Sequence, residues 1–180
     1  MPLYHIFYKK KQKKDDFLFY LSYKETMIYM ISLFIMLLDQ VSKAWILNTF
    51  SAGTGREVLP CFNLILTYNK GVSFSFLYSD SPYMPWILSL FALFICTCLV
   101  IWMRHEKDKW SRIGFALILG GAIGNVIDRL RFGGVVDFLD FYIGDYHWPA
   151  FNIADSAICI GVFLILIRAF FIKKELGEKK

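Results

Sequence analysis

The feature that most constrains this chain is a long uncharged segment, residues 82–103, which contains 22 residues and no Asp, Glu, Lys or Arg. A hydrocarbon layer of ~30 Å needs about 20 apolar residues at ~1.5 Å per helical residue. The segment is therefore long enough to cross a membrane as one helix. Three further apolar stretches carry a few polar groups, and together they predict four spans, at about 27–47, 82–103, 112–130 and 151–171.

Composition agrees with a membrane class, because 57% of the 180 residues are hydrophobic, more than one soluble domain of this size needs to bury. We therefore predict an all-α membrane protein with four transmembrane helices. A small extracytoplasmic β-hairpin or cradle is expected in the first outer loop. There, residues 62–68 and 72–77 have strand-like sequences, and residues 69–71 (Asn-Lys-Gly) tolerate a tight turn.

The basic residues are placed asymmetrically along the chain. Of 20 lysines and arginines, 15 lie within residues 9–24, 104–112 and 168–180, which share one side of a four-span protein. The positive-inside rule then puts both termini in the cytoplasm. We expect a basic cytoplasmic arm (1–25), poorly ordered or lying on the membrane surface, a membrane domain (26–172) and a basic cytoplasmic tail (173–180). Anionic lipid headgroups explain these charges better than nucleic acid, for which no motif is present.

Other classes of site find little support. Three of the four cysteines lie inside predicted spans, where they behave as small apolar residues, so no disulfide framework is expected. The three histidines (His5, His105, His147) lie far apart, so no metal site is predicted. The first span is long, contains charged residues and lacks a small-x-small cleavage pattern, so we expect it to be retained and not removed as a signal peptide.

Two glycines in the third span have a spacing typical of close helix contacts. Gly120 and Gly124 form a Gly-x-x-x-Gly pattern. Small residues at this spacing let a neighbouring helix approach closely. We interpret both glycines as packing residues and not as catalytic ones.

Polar and ionisable residues gather at one depth of the predicted bundle. Each ionisable group at the membrane centre costs ~2.5 kcal/mol or more on insertion scales, so such groups usually face the bundle interior and mark function. Helical spacing gives each span a single polar face toward the outward end. The residues are Asp39, Lys43, Asn125, Asp128, Arg129, Asn152 and Asp155, with Asp137 in the loop between the last two spans.

Several of these groups also have a purely structural interpretation. Asp39 and Lys43, four residues apart, can form a neutral pair that makes insertion tolerable. Asp128 and Arg129 are better explained by spacing alone as an interfacial pair than as direct chemistry. These alternatives stay open at the level of the sequence.

The candidate catalytic carboxylates are ambiguous in the same way. Asn152 followed by Asp155 has the pattern of a helix N-cap with an acidic third residue, so spacing leaves a helix start and catalysis equally open. Asp137 is one of three loop carboxylates, and for the other two, Asp140 and Asp145, we favour simple solvation. Two adjacent carboxylates do not both ionise easily, so one of a pair can hold a proton while the other activates water.

Five sequence blocks resemble the lipoprotein signal peptidase (signal peptidase II) family, in the order seen there, over roughly residues 27–172. The blocks are 39–43 (Asp-Gln-Val-Ser-Lys), 69–74 (Asn-Lys-Gly-Val-Ser-Phe), 124–129 (Gly-Asn-Val-Ile-Asp-Arg), 135–138 (Val-Val-Asp-Phe) and 151–155 (Phe-Asn-Ile-Ala-Asp). A single block would be weak. Five in order on a four-span frame are specific.

The resemblance implies an aspartyl endopeptidase of the bacterial cytoplasmic (inner) membrane that acts on diacylglyceryl-modified prolipoproteins. It would cut on the amino side of the lipidated cysteine, near the outer leaflet, without metal or organic cofactor, and we expect a monomer among membrane lipids. Asp137 and Asp155 match the catalytic dyad. The matching supporting and substrate-positioning residues are Asp39, Lys43, Asn69, Gly71, Asn125, Asp128, Arg129 and Asn152.

The chain departs from the family pattern at two places. Val72-Ser73 stands where small residues, usually Ala-Ala, follow the Asn-x-Gly, which can reshape the outer hairpin. The N-terminal arm is also longer and more basic than usual.

The alternative from another class is a small ion or proton transporter that uses the intramembrane carboxylates. The lack of an inverted repeat and the restriction of polar groups to the outer half argue against it. A purely structural scaffold would leave the five blocks unexplained.

Overall fold

The computed structural model describes residues 3–71 and 81–177, with side chains for 26–71 and 81–171. Its helices are α1 (Leu3–Thr49), α2 (Met84–His105), α3 (Lys109–Phe132) and α4 (Ile153–Gly177). Within them, Thr26–Thr49, Met84–His105, Lys109–Phe132 and Ile153–Phe171 are each long and apolar enough to cross a membrane. The four predicted spans are confirmed, with ends displaced by a few residues.

Helix α1 is longer than its predicted span. Its backbone is helical from Leu3 and continuous with the membrane-spanning part. The prediction that residues 1–25 form a basic cytoplasmic arm stays a prediction. The segment Val72–Leu77, predicted as a strand, lies outside the described residues.

Helix ends follow capping residues in the sequence. Asp108 precedes α3, and its carboxylate accepts a hydrogen bond from the Ser111 backbone N–H at 2.8 Å, while Gly133 ends the helix with a left-handed φ of 72°. Arg168 of α4 donates to the same Asp108 carboxylate at 2.7 Å. The short connector between α2 and α3 is thereby attached to α4.

Helix α3 lies at the centre of the bundle and packs against the other three helices. In its most apolar stretch 56% of the residues are buried, against 22% or less in the other three. The glycines permit this. A Cβ added to Gly120 would lie 2.5 Å from the Ser32 carbonyl oxygen, and one added to Gly124 would lie 2.5 Å from Asp39 Oδ2, both on α1. The predicted packing role of these two glycines is confirmed.

The loops at one end of the bundle form a single antiparallel sheet of four strands. The strands are β1 (Gly55–Leu59), β2 (Phe62–Asn69), β3 (Val135–Ile143) and β4 (Tyr146–His147), in that spatial order. Strand β2 confirms the first predicted strand, but its partners are β1 on one side and β3 on the other. No strand was predicted within the loop between the last two spans, although Val135–Ile143 is rich in the β-branched and aromatic residues typical of strands.

The sheet is fixed to the helices by a small apolar core. Ile46 of α1, Leu66 of β2 and Val136 and Phe138 of β3 are all buried together. Because β2 and β3 come from different loops, this core joins the first and second halves of the chain. It holds β3 against the ends of α1 and α3.

Candidate active site

Asp137 lies on β3, opposite Thr67 of β2, and is only 2% exposed. The side-chain amide of Asn152 donates to its Oδ1 at 2.7 Å. Burial and, to a smaller extent, the nearby charge of Asp155 raise the pKa of Asp137 to about 7, although hydrogen bonds from Asn69 and Asn152 act to lower it. This carboxyl therefore retains its proton far above the pH at which an exposed aspartate loses it.

Asp155 lies in the first turn of α4, three residues after Asn152. The Asn152 side-chain oxygen accepts a hydrogen bond from the Asp155 backbone N–H at 2.9 Å, so the predicted N-cap is present. The side-chain amide of Asn125 on α3 donates to Asp155 Oδ1 at 2.8 Å. The helix-cap and functional interpretations of this motif are thus compatible, because the cap positions the carboxylate.

Two asparagines connect the two carboxylates. Asn152 Nδ2, which contacts Asp137, also lies 3.3 Å from Asn125 Oδ1, and Asn125 Nδ2 contacts Asp155. Asn152 is fully buried and Asn125 is 7% exposed. The amides therefore orient both carboxylates from the protein interior.

Beneath the asparagines, Lys43 is a buried cation shared by several acceptors. Its Nζ lies 2.8 Å from Asp39 Oδ2, 2.8 Å from Asp128 Oδ2 and 3.0 Å from Asn125 Oδ1. Lys43 is 1% exposed, and both aspartates are fully buried. A neutral Asp39–Lys43 pair is therefore only part of the arrangement, because Asp128 completes it.

The two aspartates bound by Lys43 also hold the backbone beside the candidate dyad. Asp39 Oδ1 accepts from the backbone N–H of Ala154, the residue before Asp155, at 3.0 Å. Asp128 Oδ2 accepts from the backbone N–H of Val136, the residue before Asp137, at 3.0 Å. One cation thus supports, through these two aspartates, both β3 and the start of α4.

Gln40 belongs to this network but was not among the predicted site residues. Its Nε2 donates to Asp128 Oδ1 at 3.0 Å and to the Gly124 carbonyl oxygen at 3.2 Å. Its position in the first family block, directly after Asp39, was the sequence feature that could have identified it as a site residue. Hydrogen-bonding partners on another helix are not visible in the spacing of one block.

Arg129, Asn69 and Gly71 lie at the edge of the site. The Arg129 guanidinium donates to the Gly71 carbonyl oxygen at 3.1 Å, and the Gly71 N–H donates to Asn69 Oδ1 at 2.9 Å. Arg129 and Asp128, adjacent in sequence, therefore have different hydrogen-bonding partners.

The two remaining loop carboxylates differ from each other. Asp145 is exposed, as predicted. Asp140 is 5% exposed and is bound by Asn63 Nδ2 at 2.8 Å and by His147 Nδ1 at 2.9 Å, so the expectation of a solvated side chain was wrong for it. Asp140 lies on β3 opposite Asn63 of β2, and His147 of β4 contacts it from the other side.

Three cavities meet at the candidate dyad, and Asn69 lines all of them. The cavity among the helices has a volume of about 220 Å³ and includes Ala92, Arg129 and Asp155. A mainly apolar cavity of about 290 Å³ lies between residues 148–151 and α4. A more polar cavity of about 390 Å³ lies over the sheet and includes Asp137.

Among the described residues, no group of three or more His, Cys, Asp or Glu side chains is placed to hold a metal ion. The polar atoms around the dyad are instead paired with amides, backbone N–H groups and Lys43. Asp137, which is buried, and Asp155, which is partly buried, line adjoining cavities.

The comparisons with known proteins agree with the resemblance found in the sequence. The model of the family described as signal peptidase (SPase) II matches residues 31–171. The chain is 44% identical over 149 residues to a lipoprotein signal peptidase of Vibrio cholerae, covering 81% of this chain and 87% of the relative. It is 49% identical over 135 residues to that of Ralstonia nicotianae, covering 73% and 77%.

The fold also matches a solved structure. A bacterial membrane enzyme determined at 2.3 Å resolution has a TM-score of 0.74 and 32% sequence identity, covering 86% of this chain and 92% of that one. The chain is thus a multi-pass bacterial membrane protein with a protease fold. On the matched family model, the identity of its relatives and this structural similarity, it belongs to the signal peptidase II family of lipoprotein signal peptidases.

Proposed function

We propose that this chain is an aspartyl endopeptidase that removes the signal peptide from diacylglyceryl-modified prolipoproteins, cutting on the amino side of the lipidated cysteine. Family membership implies the cleavage of prolipoprotein signal peptides. The observation that carries the finer proposal is the pairing of two carboxyls, the buried Asp137 and the partly buried Asp155, each held by a buried asparagine amide.

In the proposed mechanism, Asp155 acts as the ionised base and Asp137 as the protonated partner, as the raised pKa of Asp137 favours. Asp155 takes a proton from a water molecule as its oxygen attacks the scissile carbonyl, and the Asp137 proton polarises that carbonyl oxygen. A proton then passes to the leaving cysteine nitrogen as the C–N bond breaks. The coupled pair shares one proton at the start of the cycle.

The supporting residues have positioning roles in this proposal. Asn125 and Asn152 orient the carboxylates, while Lys43 with Asp39 and Asp128 fixes the backbone beside them. Arg129 and Asn69 border the cavities, Gly71 is hydrogen-bonded to both, and all three are proposed to contact substrate. In this proposal these residues position the dyad and the substrate and do not take part in proton transfer.

We further propose that both termini are cytoplasmic, that the dyad lies near the outer leaflet, and that the protein works as a monomer surrounded by lipids. The charge distribution supports the orientation. Large apolar side chains exposed on the spanning helices, such as Phe91, Phe94 and Phe163, support contact with lipid tails. The transporter alternative has no observation in its favour, since the chain belongs to a protease family.

The proposal is tested with purified protein in detergent and a prolipopeptide carrying diacylglyceryl on its cysteine. We expect cleavage of this peptide but not of its unlipidated counterpart. Asp137→Asn and Asp155→Asn should each reduce turnover by at least about a hundredfold, the lower end of general acid–base contributions.

Asp145→Asn, which changes an exposed carboxylate on the same loop, is the matched control and should retain wild-type turnover. Near-normal turnover by Asp155→Asn would refute the dyad. Equal cleavage of both peptides would refute the lipid requirement, and a cut at another bond would refute the cleavage site.

A further inference from the structure

Beyond the dyad, a buried acid and a partly exposed histidine lie together on the sheet. Asp140 is 5% exposed and accepts hydrogen bonds from Asn63 on β2 and from His147 on β4. The His147 side chain is 52% exposed. Neither residue contacts the dyad, whose side-chain hydrogen bonds come from Asn69, Asn125 and Asn152.

The hydrogen bond between Asp140 and His147 is not needed to hold β3 and β4 together. The backbone already joins the two strands, because Tyr142 pairs with His147 and the Trp148 N–H donates to the Phe141 carbonyl oxygen at 2.7 Å. The His147 ring also stacks on Tyr142, with centroids 5.0 Å apart. The Asp140 carboxylate fixes the orientation of the His147 ring, because it binds Nδ1 and leaves Nε2 directed away from Asp140.

Asp140 and His147 line the same cavity as Asp137. This cavity, about 390 Å³ in volume, includes Thr67 and is the most polar of the three that meet at the dyad. The apolar cavity of about 290 Å³ contains Asp155 instead, and residues 148–150 border both. A peptide bond lying between the two carboxyls therefore has different surroundings on its two sides.

The three parts of the proposed substrate match the three cavities in polarity. This assignment rests on the proposed function. The signal segment is apolar and suits the space among the helices, and the diacylglyceryl chains suit the apolar cavity. The polypeptide that follows the cysteine is polar and leaves the membrane. It suits the polar cavity over the sheet, where peptide groups find hydrogen-bonding partners.

We infer that Asp140 and His147 form a binding subsite for the polypeptide on the carboxyl side of the lipidated cysteine, with His147 as a specificity-determining residue. His147 Nε2 forms a hydrogen bond with a peptide or side-chain group in the first few residues after the cysteine. Asp140, itself held by Asn63, orients the ring. The subsite acts on binding of the released chain and not on the chemical step.

The test compares two lipidated peptides, one ending at the cysteine amide and one extended by four polar residues. Wild-type kcat/KM should be roughly threefold to tenfold higher for the extended peptide, as expected for about one hydrogen bond. In His147→Ala and Asp140→Asn the ratio of the two kcat/KM values should fall to near one. His105→Ala, a change at an exposed histidine on α2, is the matched control and should keep the wild-type ratio.

A merely structural role would lower kcat/KM for both peptides in proportion and leave the ratio unchanged, which would overturn the inference. The inference would also be overturned if His147→Ala changed the effect on kcat/KM of lengthening the peptide on the signal-peptide side of the cysteine, and not the effect of lengthening it on the carboxyl side. Failure of wild type to cleave either peptide would refute the proposed function itself, so the two failures are distinguishable.

Discussion

At the scale of single residues, Lys43 has the greatest structural influence on the site. It is one buried ammonium between two buried carboxylates, and each carboxylate holds the backbone N–H next to one candidate catalytic aspartate. Removing one partner of a buried ionic network costs far more than an exposed ion pair contributes, because the charges left behind lose their compensation. Both sides of the site depend on that compensation.

Lys43→Met keeps the length of the side chain but removes its charge. Two buried carboxylates would then face each other without a cation, and we expect a loss of about 3–5 kcal/mol in the free energy of unfolding. The measurement is thermal or denaturant unfolding of the purified protein in detergent. Lys109→Met, at an exposed lysine, is the control, and equal stability of the two variants would contradict this account.

The raised pKa of Asp137 predicts how activity depends on pH. Burial and the charge of Asp155 raise this pKa to about 7, so Asp137 is neutral below that pH and loses its proton above it. If the productive enzyme carries one proton on the pair, kcat/KM should fall up to tenfold per pH unit above about 7. A pH profile with an uncharged substrate checks this, and a rate that stays constant to pH 9 would argue against Asp137 as the proton donor.

Sequence reasoning at this scale found the chemical groups but not all their partners. Block order singled out Asp137 and Asp155, and helical spacing grouped Asn125 with Asp128. It missed Gln40 because its partners lie on α3, more than 80 residues away. Contacts between distant segments are set by packing, which local spacing does not contain.

At the scale of elements, α3 is the helix on which the others are arranged. Its glycines let α1 and α4 approach at backbone distance on different sides. A Cβ on Gly161 of α4 would lie 2.5 Å from the Gly114 carbonyl oxygen and 2.7 Å from Ile118 Cγ1. Small residues thus permit a central helix to bury polar groups that would otherwise face lipid.

Gly161→Ala should therefore overpack the contact between α3 and α4. A loss of about 1–3 kcal/mol is expected, as for an extra methyl group in a closely packed interior. The midpoint of thermal unfolding in detergent measures it. Cys98→Val, which adds volume at an exposed position of α2, is the control, and equal midpoints for the two variants would show that α3 and α4 can separate at little cost.

Helices could be predicted far better than strands from this sequence. Hydrophobic length identifies a span with little ambiguity, since a lipid environment leaves few alternatives to a helix. Residues 130–150 have no such constraint, and no strand was predicted there. Strand β3 forms because β2 supplies its hydrogen-bonding partners, and no local pattern reports a partner about 70 residues away.

At the scale of the whole molecule, the four strands of the described residues lie at one end of the bundle, and the connector with Asp108 lies at the other. The chain direction requires this, because the loops that follow α1 and α3 share one side. The arrangement gives the molecule an apolar middle, a polar site near one end and a basic opposite end.

The proposed orientation predicts which side of the membrane each loop reaches. Cys61, exposed between β1 and β2, should react with a membrane-impermeant maleimide added to intact spheroplasts, in a variant whose other three cysteines are replaced by Ala. In a cysteine-free background, Lys107→Cys in the connector should react only after permeabilisation. The reverse pattern of labelling would place the termini outside and refute the orientation.

The bond between Asp39 and Ala154 has a consequence for how the protein is made. These residues are 115 positions apart, so the ribosome completes most of the chain before the first helix obtains its last polar partner. During that interval Lys43, one turn away, is the partner already synthesised for Asp39. A nascent chain that stops before α4 would hold an incomplete polar cluster in the bilayer. Such a cluster is a chemical mark by which a membrane quality-control protease can distinguish an unfinished copy from a finished one.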